Sequence, residues 1–272
     1  MKTVELFIIG NEILSGEIHD INTQWLCREF TKLGGRVERS TVLRDDLQVI
    51  AGELREVLNR GPRVILTSGG LGPTADDLTL AAVAEGVGVP LEVHEEARRM
   101  IRKSYDDLHA QGVLEVGGLN PAREKMALFP KGGRPLANLV GTAPGVLLEV
   151  GATAIISLPG VPPELQGIFN TSLLPFLRQV FHGGLSALHT LTVRCNDESL
   201  LEPLLSKVVP AHPAVYIKSL ASRPGEMAEL DIFLTATGTD RAIVEGLLSA
   251  ALRDLRAELT SLGIAFRDKE HG

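Results

Sequence analysis

Val64-Ile65-Leu66-Thr67-Ser68-Gly69-Gly70-Leu71-Gly72-Pro73-Thr74-Ala75-Asp76-Asp77-Leu78-Thr79 joins a continuous apolar strand to a helix through three glycines and sets two carboxylates where the helix opens. Glycines let backbone N–H groups approach an anion closely, and a helix N-terminus favours negative charge by only about 0.3–1 kcal/mol. Two carboxylates outweigh that. Unit charges about 4 Å apart interact by roughly 1 kcal/mol in water and about 4 kcal/mol at a partly buried surface, so Asp76 and Asp77 repel a bare diphosphate. A divalent cation between them reverses the sign, because Mg²⁺ is commonly held by one or two carboxylates plus substrate phosphate oxygens. The alternative is an ordinary cap: Thr74 with Asp77 three residues on has the spacing of a capping box.

Outward from this stretch, strands and helices take turns. Val4–Ile9 is a β-type run; a helix spans Asn22 to Leu33 and stops at Gly34-Gly35; Arg36 to Val42 is the next strand. Asp46 opens a helix whose apolar residues, Leu47, Ile50, Ala51, Leu54, Val57 and Leu58, recur every three or four positions until Gly61-Pro62. A helix is expected over Asp76–Glu85, another over His94–His109, and a short strand over Lys125–Phe129. Gly145–Val150 and Thr153–Leu158 have the pattern of a hairpin closed at Gly151, and Pro162-Pro163 begins a helix running to about Val180. The βαβαβα order predicts an α/β fold with a mostly parallel sheet and helices on both faces. In such sheets ligands sit outside the carboxyl ends of the strands, so the Gly10-Asn11-Glu12 loop and the Ser68–Asp77 loop should share one crevice.

After His182-Gly183-Gly184 the order changes to strand, helix, strand, strand, helix, which reads as a small separate α+β domain. Two domains, 1–182 and 183–272, suit a chain of 272 residues of which 44% are hydrophobic. The net charge of −7 argues against broad binding to nucleic acid or to an anionic membrane. Cys27 and Cys195 stand alone, as buried thiols in a reducing compartment do, and the seven histidines show no HxH or HExxH spacing that would point to zinc. With no basic-then-apolar leader and no apolar run long enough to span a bilayer, a cytoplasmic protein is expected.

Four motifs, Gly10-Asn11-Glu12-Ile13-Leu14-Ser15-Gly16 with Asp20 and Asn22, the Ser68–Thr79 loop, Gly141-Thr142-Ala143-Pro144-Gly145 and Leu158-Pro159-Gly160-Val161-Pro162, occur in the order of the CinA family. Residues 4–180 resemble that family's N-terminal domain, which has the molybdopterin-binding fold of molybdenum-cofactor biosynthesis proteins. Residues 187–262 are similar to its KH-type middle domain. The amidohydrolase domain that follows in full-length members has no counterpart here, so nicotinamide-nucleotide deamidase activity is not expected.

The resemblance implies a pyrophosphatase acting on ADP-ribose or a related dinucleotide, with a divalent metal (Mg²⁺, Mn²⁺ or Co²⁺), K⁺ beside it, and a homodimeric assembly. Asp77 is expected as the central acid and Glu12 as its partner, with Asp76 beside them as a metal ligand. Lys125 is a candidate to neutralise a phosphate oxygen. Substrate contacts are expected from Asn11, Asn22, Ser68, Gly69, Gly70, Gly72, Thr74, Gly141, Thr142 and Gly160. Asp20 reads as a helix cap, as does Asp45-Asp46, with a secondary ligand role as the alternative. Lys125-Met126-Ala127 replaces the Lys-Gln-Ala of many members, which bears on substrate identity. The second domain has no Gly-x-x-Gly loop and no basic face, so RNA binding is not expected. Two further possibilities remain open: a protein that binds molybdopterin or another phosphorylated pterin without turnover, and a structural dimer.

Overall fold

The computed structural model describes residues 2–195, 197–220 and 229–269. They form two compact units: Met1–Phe30 with Gly35–Phe181, and Thr31–Gly34 with His182–Gly272.

In the first unit β1 (Thr3–Ile9), α1 (Asn11–Leu14), α2 (Asn22–Lys32), β2 (Arg36–Leu43), α3 (Leu47–Arg60), β3 (Val64–Ser68) and α4 (Thr79–Val87) follow one another as strand and helix. Then come β4 (Leu91–Val93), α5 (Glu95–Ala110), α6 (Pro121–Lys125), β5 (Leu128–Pro130), β6 (Arg134–Leu136), β7 (Gly145–Val150), β8 (Thr153–Leu158), α7 (Pro162–Ile168) and α8 (Leu174–Phe181). A π-helical turn, Phe169–Leu173, joins the last two. The main sheet runs β2-β1-β3-β8-β7-β6. β2, β1, β3 and β8 are parallel, while β7 and β6 pair antiparallel, because the tight turn at Gly151 (φ 57) can only return the chain beside itself. Every residue of β3 and β8 is buried, as central strands covered on both faces require.

The helices explain the cover. Asp46 caps α3 by accepting from Gln48 N and Val49 N, and the stripe Ile50, Ala51, Leu54 and Val57 packs with α4 residues on Phe7, Ile9, Ile65 and Ile155. By strand alternation Leu6 and Leu66 face the opposite way. There α2 meets the helix after β8 through Trp25 and Phe30, whose rings stand edge-on to Phe169 at 5.0 and 5.8 Å. Trp25 is thus a packing residue.

Two local expectations are corrected. α4 begins at Thr79 and not at Asp76, because Thr74 and Asp77 close a turn upon themselves while Thr79 N and Oγ1 are drawn to Gly70 O and Gly69 O. Lys125 ends a short helix and does not start a strand: Asn120 caps that helix by accepting from Arg123 N at 2.9 Å, Pro121 fills its first position, and β5 starts only at Leu128.

The second unit consists of β9 (Leu185–Arg194), α9 (Glu202–Ala211), β10 (Val215–Leu220), β11 (Glu229–Gly238), α10 (Arg241–Ser261) and β12 (Phe266–Asp268). Its antiparallel sheet runs β10-β11-β9-β12, and one face (Leu191, Val193, Ile217, Ile232, Leu234) packs with Leu204, Leu248 and Leu255 of the two helices. The expected α+β order is present with one added edge strand, β12. Among the described residues no helix is long and apolar enough to cross a membrane.

Candidate functional site

The loops leaving β1, β2, β3 and β8 meet at the carboxyl end of the parallel strands, and between them lies a crevice of about 540 Å³. The Gly10–Glu12 and Ser68–Asp77 loops both line it, as the topology predicts. Close backbone packing builds its floor. Gly10 N donates to Leu43 O and Gly69 N to Leu158 O, lacing neighbouring loops together. Gly69 has φ 112, and a Cβ there would lie 2.1 Å from Ile9 O, so only glycine fits. Gly160 packs on Gly69: a Cβ on Gly160 would lie 3.3 Å from Gly69 Cα.

Six carboxylates line this crevice, Glu12, Asp20, Asp45, Asp76, Asp77 and Glu164, and among the described residues no lysine or arginine does. Glu12 folds back over Gly10, where a Cβ would come within 2.5 Å of Oε1. Asp45 accepts from Asn11 N at 2.7 Å. Burial raises the Asp45 carboxyl above its ordinary range, the Asn11 N–H opposes that shift, and the negative charges of Glu12, Asp76 and Asp77 add to it. These four acids therefore share one field. Asp76 is held below its usual range by the Thr74 hydroxyl and its own backbone N–H, with Lys125 adding a smaller electrostatic pull.

Asp77 Oδ2 accepts from Thr74 N at 2.8 Å and from the Thr74 hydroxyl, which fixes the carboxylate and leaves Oδ1 free of protein partners among the described residues. Gly72 sits against it, with space for no side chain, since a Cβ would meet Oδ2 at 2.6 Å. Lys125 does not line the crevice. Its ammonium donates to Thr74 O and stands behind the loop, beside a small cavity with Gly70, Gly72 and Asp77.

Ser68 and Asn22 form the buried wall. Asn22 Nδ2 donates to Ser68 Oγ at 3.1 Å and to Gly160 O at 2.8 Å, while Asn22 Oδ1, although buried, has no hydrogen-bond partner among the described residues. Of the other expected contacts, Gly70, Gly72, Thr142 and Gly160 line the crevice, whereas Asn11, Thr74 and Gly141 do not. Gly69 spends its N–H on Leu158 O; the N–H groups of Gly70 and Gly72 donate to no protein acceptor among the described residues. Asp20 caps α2 by accepting from Thr23 N at 2.9 Å.

Glu164 and Asn138 carry no expectation from the sequence. Asn138 Oδ1 accepts from Val140 N and Gly141 N, and its Nδ2 donates to Ala143 O and, at 2.7 Å, to Glu164 Oε2. Gly141 makes room for that carboxylate: a Cβ there would lie 2.0 Å from Oε2. An acid in the first turn of the helix after Pro162-Pro163 was a readable signal for Glu164. Asn138, in a loop between two strands, offered none. Met126, 3% exposed, lines the same crevice, so the departure from Lys-Gln-Ala puts an apolar surface there.

Among the described residues no three His, Cys, Asp or Glu side chains are placed to hold a metal ion by themselves. The donor set nevertheless suits a hard divalent cation that takes its remaining ligands from water and phosphate: oxygen donors alone, from Asp77, Asp76 and Glu12.

Residues 5–179 match the family described as probable molybdopterin binding domain. The crystal structure of the protein CinA with unknown function from Thermoplasma acidophilum is 36% identical and superposes with a TM-score of 0.58, covering 65% of this chain and 99% of that one. A protein of Pyrococcus abyssi is 35% identical over 97% of this chain and 98% of its own length, and one of Aeropyrum pernix is 35% identical over 96% and 95%. The chain belongs to the probable molybdopterin binding domain family and within it is CinA-like.

Proposed function

We propose that the crevice performs metal-dependent hydrolysis of the diphosphate in ADP-ribose or a related dinucleotide. The observation that carries this reading is the acidic lining: six carboxylates, three of whose charges reach Asp45, and among the described residues no lysine or arginine. A diphosphate there meets repulsion of about 4 kcal/mol per close charge pair at a partly buried surface, which a cation must offset. Asp77 Oδ1, Asp76 and Glu12 are the residues that would hold Mg²⁺, Mn²⁺ or Co²⁺. When bound, such an ion neutralises phosphate charge and polarises the phosphoryl oxygens. The N–H groups of Gly70 and Gly72, which donate to no protein acceptor among the described residues, would serve as donors to the same anion. Water adds to one phosphorus, the bridging P–O bond breaks, and the products are AMP and ribose 5-phosphate.

The family match favours a second reading, binding of molybdopterin or another phosphorylated pterin without turnover. Incubation with ADP-ribose, FAD and NAD under each metal, with and without K⁺, separates the two. Metal-dependent release of AMP that Asp77→Asn abolishes supports hydrolysis. No turnover under any condition overturns hydrolysis and leaves pterin binding or a structural dimer.

A further inference from the structure

The crevice has two chemically different ends. Asp45 follows β2, Glu12 follows β1 and Asp76-Asp77 follow β3, while Glu164 follows β8, the fourth strand in the order β2-β1-β3-β8. β2 and β8 lie three strands apart in that order, so Asp45 and Glu164 enter the crevice from opposite sides, and Glu164 is absent from the charges that act on Asp45. Its carboxylate is fixed in place. Asn138 has its Oδ1 committed to two backbone N–H groups, so its amide orientation is set and Nδ2 must face Glu164 Oε2. Gly141 leaves the space this requires. Glu164 Oε1 accepts from no protein group among the described residues, and the nearby Asn22 wall holds a second oxygen, buried and unpartnered, in the same crevice.

An oriented carboxylate with free lone pairs is an acceptor for hydroxyl donors. The vicinal hydroxyls of a ribose supply two at the right spacing, as acidic side chains in other nucleotide sites show. We propose that Glu164 accepts hydrogen bonds from the 2′- and 3′-hydroxyls of a ribose attached to the diphosphate, and that Asn138 is its positioning residue. The inference rests on the diphosphate reading and adds a sugar requirement: the site selects ribonucleotides over ligands without the diol.

The test is calorimetric binding to the full chain in Mg²⁺ of α,β-methylene-ADP, which resists cleavage, and its 2′,3′-dideoxy counterpart. Wild type is expected to favour the diol ligand about tenfold. Glu164→Ala should reduce that preference to about one, and Asn138→Ala should reduce it in the same direction. Glu164→Gln, which keeps shape and one acceptor, should retain two- to threefold, and thermal melts confirm that each variant is folded. Equal binding of both ligands by wild type, or equal weakening of both by Glu164→Ala, overturns the inference and leaves the diphosphate reading standing. Failure of wild type to bind either ligand overturns both.

Discussion

Asn22 Nδ2 donates to Gly160 O at 2.8 Å and ties the first turn of α2 to the loop after β8, 138 residues away in the chain. The same amide reaches Ser68 Oγ, so one side chain sets the spacing between three loops of the crevice. Removing it in Asn22→Ala leaves a buried carbonyl short of a donor, which costs about 1–3 kcal/mol. Asn22→Asp should cost more, because a carboxylate then faces Gly160 O. Denaturant unfolding of the two variants checks the order; equal losses would mean that the amide's donor is not what matters.

Asp77→Asn separates chemistry from structure. An asparagine Oδ1 can still accept from Thr74 N, so stability should change by less than about 1 kcal/mol. Turnover of ADP-ribose should fall by at least about 100-fold, since the cation loses a charged ligand. A large drop in melting temperature with turnover intact would assign Asp77 to the loop alone.

Arg60 grips Glu5 with two hydrogen bonds, 2.9 Å from Nε and 2.7 Å from the guanidinium end, on the otherwise apolar strand β1. Glu5 is 4% exposed, and the pairing raises the Arg60 guanidinium above its usual range. Arg60→Met strands a buried carboxylate and should destabilise by about 3–5 kcal/mol, whereas Arg60→Met with Glu5→Leu should recover most of that loss. A double-mutant cycle in urea reads the coupling directly.

The shifted carboxyls of the second unit and Asp45 of the first respond to acid with opposite signs. In the second unit the Asp268 carboxyl is held low by His189 and Arg256, and Asp254 by His212 and Arg253. Asp231 is held low because Lys269 and Thr192 outweigh its burial. The unfolded chain binds more protons there, so the stability these groups contribute is present above about pH 4 and lost as pH falls through their folded values. Asp45 is shifted upward, so its contribution runs the other way, and deprotonating it costs the first unit stability. Asp45→Asn should therefore stabilise the protein at pH 7 and leave it unchanged at pH 3, as thermal melts across pH would show. Asp254→Asn should instead flatten the acid limb.

Gly69→Ala meets both a positive φ and the Ile9 carbonyl at 2.1 Å. The backbone conformation alone costs about 1 kcal/mol or more, and the clash must move the end of β1, from which the Glu12 loop leaves. The variant should lose both stability and ligand binding; retention of both would show that the loop relaxes freely.

The sequence by itself determined the alternation of strands and helices, the α3 stripe from Ile50 to Val57 with its Asp46 cap and Gly61 stop, the Gly151 hairpin and the meeting of two loops at the strand ends. Each is set by local periodicity, capping or turn chemistry, which act within a few residues. Only the tertiary structure decided what lies at long range. It drew the Thr74 hydroxyl onto Asp77 and the Lys125 ammonium onto Thr74 O, moved the start of α4 to Thr79, and made Gly141 a space for Glu164. It also brought Asn138 to Glu164 and Asn22 to Gly160. Those pairings depend on strand order and side-chain orientation, which join residues 26 and 138 positions apart and leave no periodic trace in the chain.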